Sequence, residues 1–241
     1  MHYYERTITS GDMVEVEVYK SIRKRNLKGV GRSVRQSETS EKQKQANEIR
    51  AEKKTRREIL NNFVPGDMWV TLKYRYNNEE DECLRDVKNY LRRLKYYCQT
   101  NGLPEFKYRG RIERGERGKW HAHICIKKID YDVVTSNWDK GSIFVEPMYI
   151  EGRFENLAKY IHKHTKGKSH QIRSRNLVPP KEKVRELGKR KIKEIETGVV
   201  PKAPKGYYLH EAEYSYNDLT GTSAVFVFLP LVPIDVGKIR K

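Results

Sequence analysis

The stretch Trp120 to Ile126, WHAHICI, constrains the fold of this chain more than any other. Its apolar residues recur at a period of two, the pattern of a strand with one buried and one open face. Trp120, Ala122, Ile124 and Ile126 are thereby committed to a core, and His121 and His123 project side by side from the other face. A strand of this kind needs partners and a covering layer, and the flanking sequence supplies both. Pro65-Gly66-Asp67 is a turn signal, and MWVTLKY (Met68 to Tyr74) is β-branched and aromatic, a strand. A long amphipathic helix is predicted over about Glu79 to Thr100, with Leu84, Val87, Leu91, Leu94 and Cys98 on one stripe. Asn101-Gly102 and Pro104 end it. A strand over about Glu105 to Glu113 joins the His strand through RGERGK, a hairpin-like connection. A short helix (Asp130 to Trp138), a strand (Ser142 to Met148) and a second amphipathic helix (Arg153 to Thr165) follow, the last with Phe154, Leu157, Ala158 and Ile161 inward. The order β-α-β-β-α-β-α predicts an α+β fold, an antiparallel β-sheet with helices packed on one face.

Charge sets the outer segments apart. The chain carries 50 Lys+Arg against 32 Asp+Glu, a net charge of +18 over 241 residues. Lys20 to Leu60 holds 14 Lys/Arg and five Glu, half of that excess. Residues 21–40 have almost no apolar side chains and build no core, and Glu, Lys, Gln, Arg and Ala from about Thr39 to Leu60 favour a largely solvated helix. The expected organisation is therefore a basic N-terminal arm and helix at 1–60, a globular core at 61–170 and a C-terminal extension at 171–241. Ser223 to Val232 reads as a late strand. No run approaches the roughly 20 apolar residues of a membrane span, and the first residues lack the apolar core of a secretory signal. Three irregularly spaced cysteines, Cys83, Cys98 and Cys125, suit a reduced compartment rather than a disulfide scaffold. The charge points to a polyanionic partner, nucleic acid rather than membrane.

The open face of the His strand is where chemistry can collect. Two imidazoles at i and i+2 on one face can grip a single metal ion. On the preceding strand Tyr108 and Ile112 point inward, which turns Lys107, Arg109, Arg111 and Glu113 to the His face. Glu113 then comes opposite the His pair, and two neutral His nitrogens with one carboxylate leave the open positions of a catalytic rather than structural site. Glu116, in the turn, is the poorer third ligand. In the helix LAKYIHK, Tyr160 and Lys163 share a face. A phenol with an ordinary pKa of about 10 becomes a nucleophile if a cation helps it ionise. Nothing in the sequence brings Tyr160 to the His face; the fold must supply that.

MWVTLKY, then Glu113 with His121-Ala122-His123, then LAKYIHK stand in the order and spacing of the three motifs of the HUH single-strand DNA endonucleases. The chain resembles in particular the rolling-circle replication initiators (Rep proteins) of bacterial plasmids and single-stranded DNA phages. NNFVPGD, SRNLVPPK and PKGYYL extend the likeness more loosely. Lys73 departs from it, because the first motif usually has a small or hydroxyl residue there. The resemblance implies an RRM/ferredoxin-like βαββαβα sheet with the HUH endonuclease domain at 61–170. It implies His121, His123 and Glu113 as ligands of a divalent metal ion (Mn or Mg), Tyr160 as nucleophile of the single-tyrosine type, and Lys163 steadying the phenolate or phosphate. Lys107, Arg109, Arg111 and Lys159 would hold the DNA backbone, and Tyr74 or Tyr76 would stack unpaired bases. The implied activity is site-specific nicking and strand transfer of single-stranded DNA at a replication origin, through a 5′-phosphotyrosine link. The implied partners are an origin hairpin, a host helicase and a polymerase, in the cytoplasm of a bacterial host. Other readings are an HUH transposase or relaxase with the same chemistry, a non-catalytic basic module binding single-stranded nucleic acid, and a structural four-His site of His121, His123, His162 and His164.

Overall fold

The computed structural model describes residues 2–21, 41–115, 118–149, 151–162, 169–217 and 221–231. In chain order the elements are β1 (His2–Ser10), β2 (Met13–Ser21), α1 (Glu41–Asn62), β3 (Met68–Lys73), α2 (Glu80–Thr100), β4 (Tyr108–Arg114), β5 (Trp120–Ile126), α3 (Tyr131–Ser136) and β6 (Ile143–Pro147). A 3-10 turn (Glu151–Phe154) then leads to α4 (Glu155–His162), β7 (Ser169–Arg173), β8 (Lys181–Glu186), α5 (Lys189–Glu196), β9 (Tyr207–Asn217) and β10 (Gly221–Pro230). The fold is α+β, with two five-stranded antiparallel sheets. The chain forms two compact units, residues 42–179 and residues 1–41 together with 180–241.

In unit 42–179 the strand order is β6-β3-β5-β4-β7, so WHAHICI is the central strand. Trp120, Ala122, Ile124 and Ile126 are buried, as their alternation requires, with Val70, Leu72 and Ile112 from the neighbouring strands. Helix α2 covers this face with Cys83, Val87, Tyr90, Leu91, Leu94 and Cys98, and Leu84 packs at the edge of the same core. Val134 of α3 and Trp138 close it, the Trp138 ring meeting Tyr74 and Tyr90 edge-on. One glycine sets the sheet's spacing at the site. A Cβ on Gly110 would lie 2.2 Å from the His123 carbonyl oxygen, so only glycine lets β4 approach β5 this closely.

Helix α1 is less solvated than its composition predicts. Thr55, Arg57, Glu58, Ile59, Leu60 and Asn62 are all buried in its C-terminal half. Most of these are polar and bonded inside the protein, which a count of apolar positions cannot register. Asn62 Oδ1 accepts the Val178 amide at 2.8 Å, and Glu58 pairs with Arg109 and Arg173. Strand β7 extends the sheet beside β4; its sequence SHQIR carries too little apolar content to announce it. Two consecutive residues with positive φ, Arg153 (46°) and Phe154 (59°), redirect the chain before α4. Such a conformation costs roughly 1–2 kcal/mol per residue. Here the buried Phe154 side chain and a hydrogen bond from Arg56 Nε to the Arg153 carbonyl at 3.3 Å hold it.

The other unit is a sheet of order β8-β1-β2-β10-β9. Tyr3, Val14, Val16, Val18, Ala224, Phe226 and Phe228 share a core with Leu187 and with Ile195 of α5. The structure thus groups residues differently from the expected 1–60, 61–170 and 171–241. Residues 2–21 form a β-hairpin in one sheet with the C-terminal strands, and the Lys/Arg-rich stretch 22–40 lies outside the described residues. The hairpin was legible: MVEVEV alternates strictly and Gly11-Asp12 supplies the turn.

Candidate active site and metal centre

Register decides which side chains meet on the open face of β5. Glu113 stands opposite His121 and Arg111 opposite His123 on one side, while Lys73 faces His121 and Thr71 faces His123 on the other. The ligand atoms of Glu113, His121 and His123 lie within 4.8 Å of one another. Glu113 Oε1 is 2.8 Å from His121 Nε2 and 4.0 Å from His123 Nε2. Metal–ligand bonds of about 2.1 Å require donors about 3 Å apart, so a small inward movement of the His123 ring completes the set. Two imidazoles and a carboxylate therefore fit a divalent cation, with the nitrogens favouring Mn²⁺ over Mg²⁺. This is the one such group among the described residues.

The surroundings prepare each ligand. Burial pushes the Glu113 carboxyl up, but the hydrogen bond with His121 and the charge of Arg111 outweigh it and hold the pKa below the usual carboxylate value. Glu113 is thus an anion at neutral pH. His123 is pushed down to about 4, first by burial and then by the positive charge of His121, so its imidazole is neutral. Its Nδ1 lies 3.1 Å from Thr71 Oγ1. With Nδ1–H donating to that hydroxyl, Nε2 keeps its lone pair for the centre of the site, the usual service of a residue behind a metal-binding histidine. Trp69 stacks on the same ring, centroids 5.8 Å apart and planes 18° apart.

Helix α4 brings Tyr160 to this face. Its hydroxyl is 3.0 Å from His123 Nε2, its ring meets His123 and Trp69 edge-on, and 38% of the residue remains exposed. Burial raises the phenol's pKa, and the charge of Glu113 raises it further against a smaller opposing effect of Arg111. The phenol is therefore protonated in the metal-free protein, and added positive charge at the ligand cluster acts in the direction of ionising it.

Arg109 and Arg111 do not occupy the surface position expected of DNA contacts. They are 4% and 2% exposed, because α1 and α4 supply their partners on this side of the sheet. Arg109 bonds Glu58, Thr55 and Gln171. Arg111 pairs with Glu113 at 2.8 Å and reaches the carbonyls of Tyr160 and Ile161, both at 3.4 Å, tying the ligand carboxylate to the tyrosine helix. Lys107 donates to Asn62 Oδ1 at 3.1 Å, and the exposed Lys159 pairs with Glu155. Tyr74 is not a stacking surface: it is 4% exposed, and its hydroxyl donates to the Cys83 carbonyl. Tyr76 is 70% exposed. His162 bonds Thr55 and Gln171 and is not part of the ligand cluster, which argues against a four-His site. Lys163, His164 and Glu116 lie outside the described residues. Sequence reasoning passed over Thr71, Trp69 and the inward role of Arg111. The face shared by alternate residues of β3 was the signal for the first two.

A half-exposed tyrosine beside a carboxylate and two histidines is an arrangement suited to metal-assisted phosphoryl transfer. Residues 67–165 match the family model of the replication-associated protein ORF2, a span that takes in β3, Glu113, both histidines and Tyr160. The match supports a replication-associated Rep protein, and with it a role in replication initiation at a DNA origin. No curated protein and no solved structure matches the chain. No helix among the described residues is long and apolar enough to cross a membrane.

Proposed function

We propose that this chain nicks and rejoins single-stranded DNA at a replication origin through a covalent tyrosine link, as an HUH endonuclease initiating rolling-circle replication. The observation that carries the reading is the 3.0 Å approach of the Tyr160 hydroxyl to His123, within the Glu113–His121–His123 cluster. No periodicity in the sequence calls for this meeting.

A divalent cation held by Glu113, His121 and His123 supplies Lewis-acid withdrawal of charge from a phosphate oxygen. Tyr160 Oη attacks the scissile phosphorus in line. The Oη–P bond forms, the P–O3′ bond breaks, the phenolic proton is lost and the departing 3′ oxygen takes up a proton. The 5′ phosphate stays on Tyr160, and the free 3′ hydroxyl is a primer for a host polymerase. One phosphodiester replaces another, so a later attack on the link by a 3′ hydroxyl reseals a strand without an external energy source. Arg111 holds Glu113 and the end of α4 in one frame, and Thr71 fixes the His123 tautomer. Lys163, one helical turn beyond Tyr160 in sequence, steadies the phenolate or orients the phosphate, while Lys107 and Lys159 add charge for the DNA backbone. A host helicase provides the unwinding.

The test is a denaturing gel with labelled single-stranded oligonucleotides tiled across the DNA that encodes the chain. Incubation with Mn²⁺ should give an adduct that survives denaturation, is lost with EDTA and is absent in Tyr160→Phe. Binding without adduct under every metal and sequence would refute the catalytic reading.

A further inference from the structure

Beside the ligand cluster lies an aromatic that the chemistry above does not use. Phe144 sits on β6, an edge strand, and is 52% exposed despite its apolar ring. Thr71 pairs with Phe144 on one side and with His123 on the other, so the three stand in one row on the same sheet face. At about 4.8 Å per strand, the row places Phe144 about 10 Å from His123. The Lys73 ammonium lies 4.6 Å from the centroid of the Phe144 ring, and Lys73 faces His121 across the ladder. Among the described residues no carboxylate pairs with Lys73 Nζ. A lone exposed phenylalanine needs no explanation. A flat ring capped by an unneutralised lysine, in register with the site and on a chain of net charge +18, has the two parts that hold a nucleotide of single-stranded DNA: an aromatic plane for the base and a cation for the phosphate.

We propose that Phe144 and Lys73 form a stacking subsite for single-stranded DNA, taking the base of a nucleotide next to the scissile phosphate while Lys73 binds its phosphate. This rests on the reading that the His face is the DNA face, and it names the side chains that grip the strand there. Lys73, the departure from the first motif's usual small or hydroxyl residue, is on this account functional. Stacking on a ring is tolerant of base identity, so the subsite contributes affinity and strand placement rather than sequence readout.

The experiment measures binding of the full chain, in the Tyr160→Phe background with EDTA, to a labelled oligo(dT) 12-mer and to an abasic deoxyribose-phosphate oligomer of equal length. Phe144→Ala should weaken oligo(dT) binding about tenfold and abasic binding less than about twofold, and Phe144→Trp should restore the loss. Lys73→Met should weaken both oligomers alike and make the log–log salt slope shallower by about 0.7. Equal affinity of Phe144→Ala and its parent for oligo(dT), an equal loss on both oligomers, or no restoration by Phe144→Trp would overturn the proposal. The outcome is separable from that of the catalytic reading. An adduct with no Phe144 effect leaves the nuclease and removes the subsite; a Phe144 effect with no adduct does the reverse.

Discussion

Replacing Arg111 by methionine isolates what the buried charge pair contributes. Arg111 and Glu113 side chains are 3% and 6% exposed and meet at 2.8 Å. Methionine has similar length and no charge, so the variant leaves a carboxylate buried beside a neutral side chain. Removing one partner of a buried pair costs about 3–5 kcal/mol, and the two 3.4 Å contacts to α4 carbonyls vanish with it. The measurement is urea unfolding of metal-free protein at pH 7.5. Glu113 titrates below the ordinary carboxylate value in the native protein, so its pairing contributes stability above the unfolded carboxylate pKa and loses it as pH falls. In Arg111→Met the deficit should accordingly be largest at neutral pH and shrink in acid, where a protonated Glu113 needs no cation. Adding Glu113→Gln should recover part of the loss, since neither charge then remains. A single variant within about 0.5 kcal/mol of wild type, or a double variant whose losses simply add, would refute the view that the two charges depend on each other.

Thr71→Val removes the partner of His123 Nδ1 at nearly constant volume; titration with Mn²⁺ should show affinity about 10–100-fold weaker with the fold intact, and an unchanged affinity would free Thr71 of this role. Gly110→Ala forces a Cβ against the His123 carbonyl, so it should lower stability by about 1–3 kcal/mol in a denaturant melt and reduce adduct yield, whereas a neutral substitution would mean the strands part easily. His162 is held down to about 4 by burial and by the charges of Arg109 and Arg111. Its neutral form therefore contributes stability that is complete above the unfolded value of about 6.5 and is lost as pH falls toward 4. Discounted for partial exposure, this is about 1–2 kcal/mol, read as a drop in urea midpoint between pH 7.5 and 4.5 that His162→Gln should lessen.

The sheet that carries the site was legible because its residues obey two simple periods. WHAHICI alternates, α2 repeats its apolar residues at helical spacing, and the resulting faces by themselves put Glu113 beside the histidines. Tyr160 was recognisable only by resemblance, since a tyrosine on a short helix carries no mark of what it will face. The burial of Arg109 and Arg111 was hidden for a related reason. Both lie on the face that alternation leaves open, and only the polar residues of α1 and the carbonyls of α4 reveal that this part is covered. The second sheet escaped because its strands come from opposite ends of the chain, and YYLHEAEYSYN and KEKVRE look like solvated segments until they pair.

That pairing also sets a timetable for synthesis. Unit 42–179 is contiguous, so its sheet is complete once Pro179 has been made. The other sheet waits for β10, which β2 and β9 both need and which ends about 50 residues later. At about 5–20 residues per second, β1 and β2 spend several seconds as a lone hairpin, a form rarely stable in water. The half bearing the tyrosine can therefore mature on the ribosome first, and a nonsense mutation within residues 180–220 would strand the opening hairpin while sparing the catalytic half.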